Sequence, residues 1–222
     1  LPLLEISLIP LVLIQSILGM FTVTLLLKPL VVTLHLLGGL IILSILWWSL
    51  LEDLVRGRHV ESPKSLKIFG LLGLLVLVIQ IFLGGWTSTN YAALACTDFP
   101  TCQGMLFPSI RWREAFTLWR GIGIDYEYGV LDSGARTTIH YVHRLWAVVT
   151  TCVLLFLAVL SLAQGRLEIK CIACLMACAL VTQIALGISN ILFGLPLLLA
   201  VAHNGVAAIL VLTMVTFLFL TV

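Results

Sequence analysis

The chain has 222 residues, 61% hydrophobic and 10% charged, with a mean hydropathy of +1.19. A water-soluble domain keeps about a quarter of its residues charged, so this composition excludes a water-facing globule and makes the bilayer the solvent. The net charge of +2 says nothing about nucleic acid, and with no basic run interleaved with aromatics no nucleic-acid partner is expected.

A membrane span needs about 20 apolar residues. Six segments reach that length: 6–27, 29–51, 66–86, 137–163, 169–193 and 196–222. The expected fold class is all-α, a polytopic membrane helical bundle. The second and sixth spans open at Pro29 and Pro196, which suits a first helical turn. The tight connections at Lys28 and at Gly194-Leu195 read as helical hairpins. Arg56, Arg58, Lys64 and Lys67 follow the second span, and Arg166 and Lys170 follow the fourth. Basic residues in short loops mark the cytoplasmic side. The two hairpin tips and the long connection 87–136 are then extracytoplasmic. The chain opens at Leu1 with no start methionine and no charged leader, as expected of a chain whose beginning is missing.

The connection 87–136, with Trp86 just before it, is rich in aromatics: Tyr91, Phe99, Phe107, Trp112, Phe116, Trp119, Tyr126 and Tyr128. A long loop with this much apolar mass is expected to fold onto the outer face, as a lid or as an interfacial belt.

The sequence repeats. Gln15-Ser-Ile-Leu-Gly19 is matched by Gln183-Ile-Ala-Leu-Gly187, and His35 follows Gln15 at the same spacing as His203 follows Gln183. One constant offset therefore relates glutamine to glutamine, glycine to glycine and histidine to histidine. A third Gln-x-x-Leu-Gly runs from Gln80 to Gly84. Duplicated helix bundles are common in membrane proteins. We expect a four-plus-four, eight-helix design of which six helices are present.

Five histidines occur. His59, beside Arg56 and Arg58, reads as a solvated loop residue. The others stand in apolar segments, where ionisable groups are expensive and usually functional. With the fourth span starting at Thr137, His35, His143 and His203 each lie six or seven residues inside a helix, about 9–10 Å at about 1.5 Å per residue. Two histidines at one depth on different helices suit axial ligation of one haem iron. His143 and His203 are the expected pair, with structural histidines bonded to carbonyls as the alternative. Small residues beside them (Gly84, Gly85, Ala147, Gly205, Ala207, Ala208) leave room for a flat macrocycle or simply promote helix packing. Arg144 can pair with a haem propionate or snorkel. His140, one turn before His143, can hydrogen-bond a propionate or water, or act as an alternative ligand.

Cys96 and Cys102 can form a local staple or an exchangeable redox couple. Cys171, Cys174 and Cys178 have metal-like spacing without acidic or histidine company, and with Cys152 they read as packing residues.

Leu83-Gly-Gly-Trp-Thr-Ser-Thr-Asn90, the Cys96 and Cys102 pair, His143-Arg144 and Ala202-His203-Asn204 together resemble the haem A synthase family in its proteobacterial and mitochondrial form. The resemblance covers the whole chain, from the family's third helix to its eighth. It implies oxidation of the C8 methyl of haem O to the formyl of haem A, for terminal oxidases. It implies a haem B between His143 and His203, and His35 as a ligand on the substrate-haem side. The expected domains are 1–51, the second helix pair of a substrate-haem bundle; 52–65, a cytoplasmic loop; and 66–222, a haem-binding four-helix bundle. The family's second helix carries a glutamate three residues before its histidine. That helix is absent here, and His140 stands at the corresponding place before His143. The family's matching cysteine pair is disulfide-bonded. Expected partners are haem O, membrane lipid, haem O synthase, terminal oxidase assembly factors and further copies of the chain, in the cytoplasmic membrane. Competing readings are a b-type cytochrome between quinol and a partner, and a transporter or assembly factor with structural histidines.

Overall fold

The computed structural model describes residues 2–55 and 63–221, and of residues 2–5 the backbone alone. Arg56, Arg58 and His59 lie outside the described residues. Six long helices follow the apolar segments: α1 (Pro2–Thr24), α2 (Pro29–Leu54), α3 (Lys64–Thr89), α5 (Ser133–Gln164), α6 (Leu167–Leu192) and α7 (Leu197–Thr221). A single turn, α4 (Trp112–Ala115), lies in the long connection. The six long helices are all long and apolar enough to cross a membrane, and the chain is a multi-pass membrane protein of all-α fold. Helices satisfy their own backbone hydrogen bonds, which lipid cannot do.

Helix α5 starts four residues before the expected Thr137. Asp132 stands at its N-cap, where Oδ1 accepts from the Ala135 N–H at 2.7 Å. Capping there recruits a polar first turn that hydropathy alone does not register.

Helices α3, α5, α6 and α7 contact one another in a closed ring, α2 packs on α3 and α7, and α1 touches only α2 among the described helices. The ring's core is built on Leu66, Leu77, Leu154, Leu157, Met176, Met214 and Phe217. Glycines set its closeness. A Cβ on Gly73 would stand 3.1 Å from both Leu154 and Met214, and one on Gly70 would stand 2.9 Å from Phe217. In lipid, where burial of apolar area no longer drives association, such close packing holds helices together. Trp47 on α2 donates to Thr216 Oγ1 on α7 at 2.8 Å, tying the outer pair of helices to the ring.

The long connection is packed onto one end of the bundle. Trp86, Ala92, Ala115, Leu131, Ala135 and Ile139 form a second apolar cluster there, and Trp86 Nε1 donates to the Ala115 carbonyl at 2.9 Å. Lys28, at the α1–α2 tip, is 2% exposed. Its ammonium donates to the Gly121 carbonyl and sits 3.3 Å from the centre of the Trp119 ring. A buried lysine needs such partners.

Candidate functional site

Each of the three hairpins α1–α2, α3–α5 and α6–α7 carries one Gln-x-x-Leu-Gly on its first helix and one histidine on its second. The glutamine and glycine lie one turn apart and share a helix face. In every case the histidine ring is pressed edge-on against the glycine. A Cβ on Gly19 would stand 3.1 Å from His35 Cε1, one on Gly84 3.2 Å from His143 Cε1, and one on Gly187 3.2 Å from His203 Cε1. Only glycine admits the ring at this distance.

The depths differ from the expectation. His35 is six residues past Pro29 and His203 six past Leu197, whereas His143 is ten past Ser133. The extra turn of α5 lies toward the loop. The glycine cradles, not the helix starts, make the three histidines equivalent.

Two glutamines complete the site. Gln80 Nε2 lies 3.2 Å from His143 Nδ1 and 3.5 Å from its Nε2. Gln183 Nε2 lies 3.3 Å from His203 Nε2. Sequence reading identifies both glutamines as repeat markers but not as contacts of a histidine. The equal glutamine-to-histidine spacing after Gln15 and Gln183 is the available signal. At Gln80 the loop insertion stretches that spacing more than threefold and hides it.

His143 stands on α5 and His203 on α7. No hydrogen bond ties the His143 ring to the main chain among the described contacts, and His203 Nδ1 is buried without a hydrogen-bond partner. His143, with Gln80 as the described partner of its imidazole, and His203, with a buried unpartnered ring nitrogen, stand on opposite helices of the four-helix ring, and this arrangement fits axial ligation of a haem iron. Oxygen-rich or thiolate metal chemistry has no comparable support: among the described residues no group of three or more His, Cys, Asp or Glu can hold a metal ion. Cys152, Cys171, Cys174 and Cys178 are exposed along the helices, without a disulfide.

His140 and Arg144 are placed differently from His143. The His140 Nδ1 accepts the Cys96 backbone N–H at 3.2 Å. The Arg144 guanidinium donates to the carbonyls of Asp98 at 3.1 Å, Thr101 at 3.0 Å and Pro100 at 2.6 Å, and it faces the Phe99 ring. Both hold the segment closed by Cys96 and Cys102, whose sulfurs lie at disulfide distance, 1.98 Å. Thr137 accepts from Gln103 Nε2 at 3.0 Å, and the Tyr141 hydroxyl donates to the Leu106 carbonyl at 3.0 Å. Residues 137, 140, 141 and 144 form one stripe of α5, and the whole stripe grips this segment. Inside the segment, hydrogen bonds from the Thr101 hydroxyl and from the Gly104 and Gln103 amides hold the Asp98 carboxyl below its ordinary range.

The chain matches the COX15-CtaA family, described as cytochrome oxidase assembly protein, over residues 1–215. It is 45% identical over 210 residues to a protein named heme A synthase from Shewanella oneidensis, covering 93% of this chain and 62% of that protein. It is 31% identical over 188 residues to the heme A synthase of Methylobacterium radiotolerans, covering 85% of this chain and 48% of that protein. It is 29% identical over 178 residues to that of Rhizorhabdus wittichii, covering 79% and 47%. The chain thus spans roughly half to three-fifths of the length of these relatives. Its six apolar helices, its paired cradles and this match over nearly its whole length agree, and the chain belongs to the COX15-CtaA family of cytochrome oxidase assembly proteins.

Proposed function

We propose that the chain acts in haem A synthesis, oxidising the C8 methyl of haem O to the formyl of haem A, with a resident haem B held by His143 and His203. The observation that carries the reading is the pair of cradled imidazoles, each approached by a glutamine. A bound haem supplies the redox chemistry needed to oxidise an unactivated methyl and to carry its electrons away. The chain's own residues do the rest. His143 and His203 present neutral ring nitrogens to the iron. Gly84 and Gly187 seat the rings. His35, in the third cradle, is the proposed ligand on the substrate-haem side.

His140 serves as a donor in this reading. A neutral imidazole has one N–H, and an Nδ1 that accepts from Cys96 leaves the proton on Nε2. That nitrogen then donates to a propionate or a water instead of binding iron. Arg144, already holding three carbonyls, keeps further N–H groups for a propionate. The gripped segment shields this end of the site from water. We assign the loop 87–136 to the extracytoplasmic side of the bacterial inner membrane, and haem O synthase, oxidase assembly factors and further copies of the chain as partners.

Pigment extraction with mass analysis tests the proposal. Haem A or a hydroxylated haem O recovered beside haem B supports it. Haem B alone, with fast reduction by quinol, favours an electron-transferring b-type cytochrome. Purified protein with no Soret band after haem supplementation rules out both.

A further inference from the structure

The three hairpins share one module but use the glutamine in two ways. At His143 and His203 the carboxamide reaches the imidazole, at 3.2 Å and 3.3 Å. At His35 it does not. Gln15 Nε2 donates instead to the backbone carbonyl of His35, and His35 Nδ1 is buried without a partner.

A sequence difference three residues after each histidine accounts for this. Gly38 follows His35, and the Gln15 carboxamide lies so close to it that any Cβ there would overlap the amide. The same step holds Trp146 after His143 and Val206 after His203. Trp146 covers the α3 backbone, donating its indole N–H to the Val76 carbonyl at 3.0 Å, one turn before Gln80. With that place filled, the glutamine is left facing the ring.

The polar atoms left over point the same way. Gln80 Oε1, Gln183 Oε1 and His203 Nδ1 are all buried without partners. The oxygen and nitrogen of a carboxamide exchange places on a half turn. That turn sets an amide oxygen against the imidazole N–H and satisfies the acceptor. An imidazole whose N–H is held this way has one tautomer and one orientation, and its other nitrogen is a better iron ligand.

We propose that Gln80 and Gln183 are positioning residues that fix the imidazoles of His143 and His203 for iron, and that Gln15, drawn onto the main chain through Gly38, leaves His35 untied. The inference rests on the haem reading above and deepens it. The fixed pair belongs to a haem that stays. The untied histidine belongs to a haem that enters, reacts and leaves, because a ligand that pivots binds and releases more readily than one held in place.

The experiment reads the chain reconstituted with haem B, by affinity, six-coordinate low-spin spectrum and midpoint potential. Gln80→Leu and Gln183→Leu should each weaken haem affinity by about 10- to 100-fold and convert part of the low-spin signal to high-spin. Gln80→Glu keeps an acceptor and strengthens it, so the haem should stay low-spin with a lowered midpoint potential. It carries the test if the leucine variants fail to fold. Gln15→Leu should leave the low-spin haem's affinity and potential as in the wild type. A wild-type chain that binds haem B without a six-coordinate spectrum overturns the haem reading itself. A six-coordinate wild type whose Gln80→Leu, Gln183→Leu and Gln80→Glu variants keep its affinity and potential overturns the positioning role and leaves that reading standing. A Gln15→Leu effect as large as that of Gln80→Leu overturns the distinction between the two kinds of site.

Discussion

Gly84→Ala is the sharpest perturbation of the cradle, because two opposing effects can be weighed. Alanine improves an α-helix by about 1 kcal/mol over glycine, so the change should help α3 as a helix. The new Cβ, however, would stand 3.2 Å from His143 Cε1, closer than ordinary carbon contacts of about 3.5–4.0 Å. The ring must retreat by a few tenths of an ångström. Gln80 lies against the same ring, 3.2 Å from Nδ1, which limits how it can move. Overpacking of this kind costs about 1–3 kcal/mol. A metal ligand tolerates displacement of only about 0.2 Å. The strain therefore falls on ligation, and a loss of about 1–2 kcal/mol weakens haem binding by about 5- to 30-fold. Titration of the purified variant with haem B, followed in the Soret band, measures this. Gly187→Ala should behave alike, since its contact with His203 is also 3.2 Å. Gly39→Ala is the control: its Cβ would meet Gln15 at an ordinary 3.5 Å, so only the helix gain remains. If Gly84→Ala and Gly187→Ala fold and take up haem B like the wild type, the cradles do not seat iron ligands.

Arg144→Gln removes the three guanidinium bonds to residues 98, 100 and 101. At a partly exposed site the loss should be about 2 kcal/mol of loop docking, read as faster amide exchange between Cys96 and Cys102 with the helices unchanged. Cys96→Ser should loosen the same segment by about 2 kcal/mol through the lost loop closure, and protease nicking at Phe99–Thr101 reports it. The Asp98 carboxyl is held below its ordinary 3.8 by Thr101, Gly104 and Gln103. A depressed carboxyl adds to docking above its unfolded value and loses that contribution as pH falls through the folded one. Protection of the Gln103 and Gly104 amides should therefore be full at neutral pH and collapse only below about pH 4, and Asp98→Asn should flatten the transition. An unchanged acid profile in Asp98→Asn contradicts the assignment. Trp47→Phe deletes the 2.8 Å bond to Thr216 and should lower stability in detergent by about 1 kcal/mol, read as the midpoint of a denaturant titration.

Much of the fold is legible in the sequence because a run of about 20 apolar residues has few alternatives to a span. The start of α5 is not, since its first turn holds Ser133, Gly134 and Arg136 and looks like loop until the Asp132 cap is considered. The single turn α4 is too short for any period to show. The histidines are legible because an ionisable group inside a span needs a reason. Their immediate surroundings are only half so. The spacing from glutamine to histidine predicts a recurring unit at His35 and His203, but not that the ring meets the glycine or that Gln80 reaches His143 across an insertion. Lys28 reads only as an outward-facing hairpin tip. Its burial depends on Trp119 and Gly121, far along the chain, which no local pattern can announce. Arg144 likewise finds its carbonyls in a distant earlier segment, between Asp98 and Thr101.

The constant offset that carries Gln15 onto Gln183 and His35 onto His203 points to a duplicated bundle, yet the smallest unit that recurs in space is one helical hairpin. In α1–α2 and α6–α7 the glutamine and histidine are 20 residues apart, and in α3–α5 they are 63 apart. The seat against the glycine is nonetheless the same, 3.1 Å at Gly19 and 3.2 Å at Gly84 and Gly187. The long insertion therefore contributes nothing to forming the cradle, which the contact of two helices already fixes. What the insertion adds is contact with a different stripe of α5, through Thr137, His140, Tyr141 and Arg144, while His143 faces Gly84 from the neighbouring side. Those four residues flank the only described cradle that carries such a cover. A cover built on the same helix as His143 can restrict access to its cradle without altering the histidine's seat, and on the proposed function that separation would let one hairpin fold hold a resident group in one copy and admit a transient one in another.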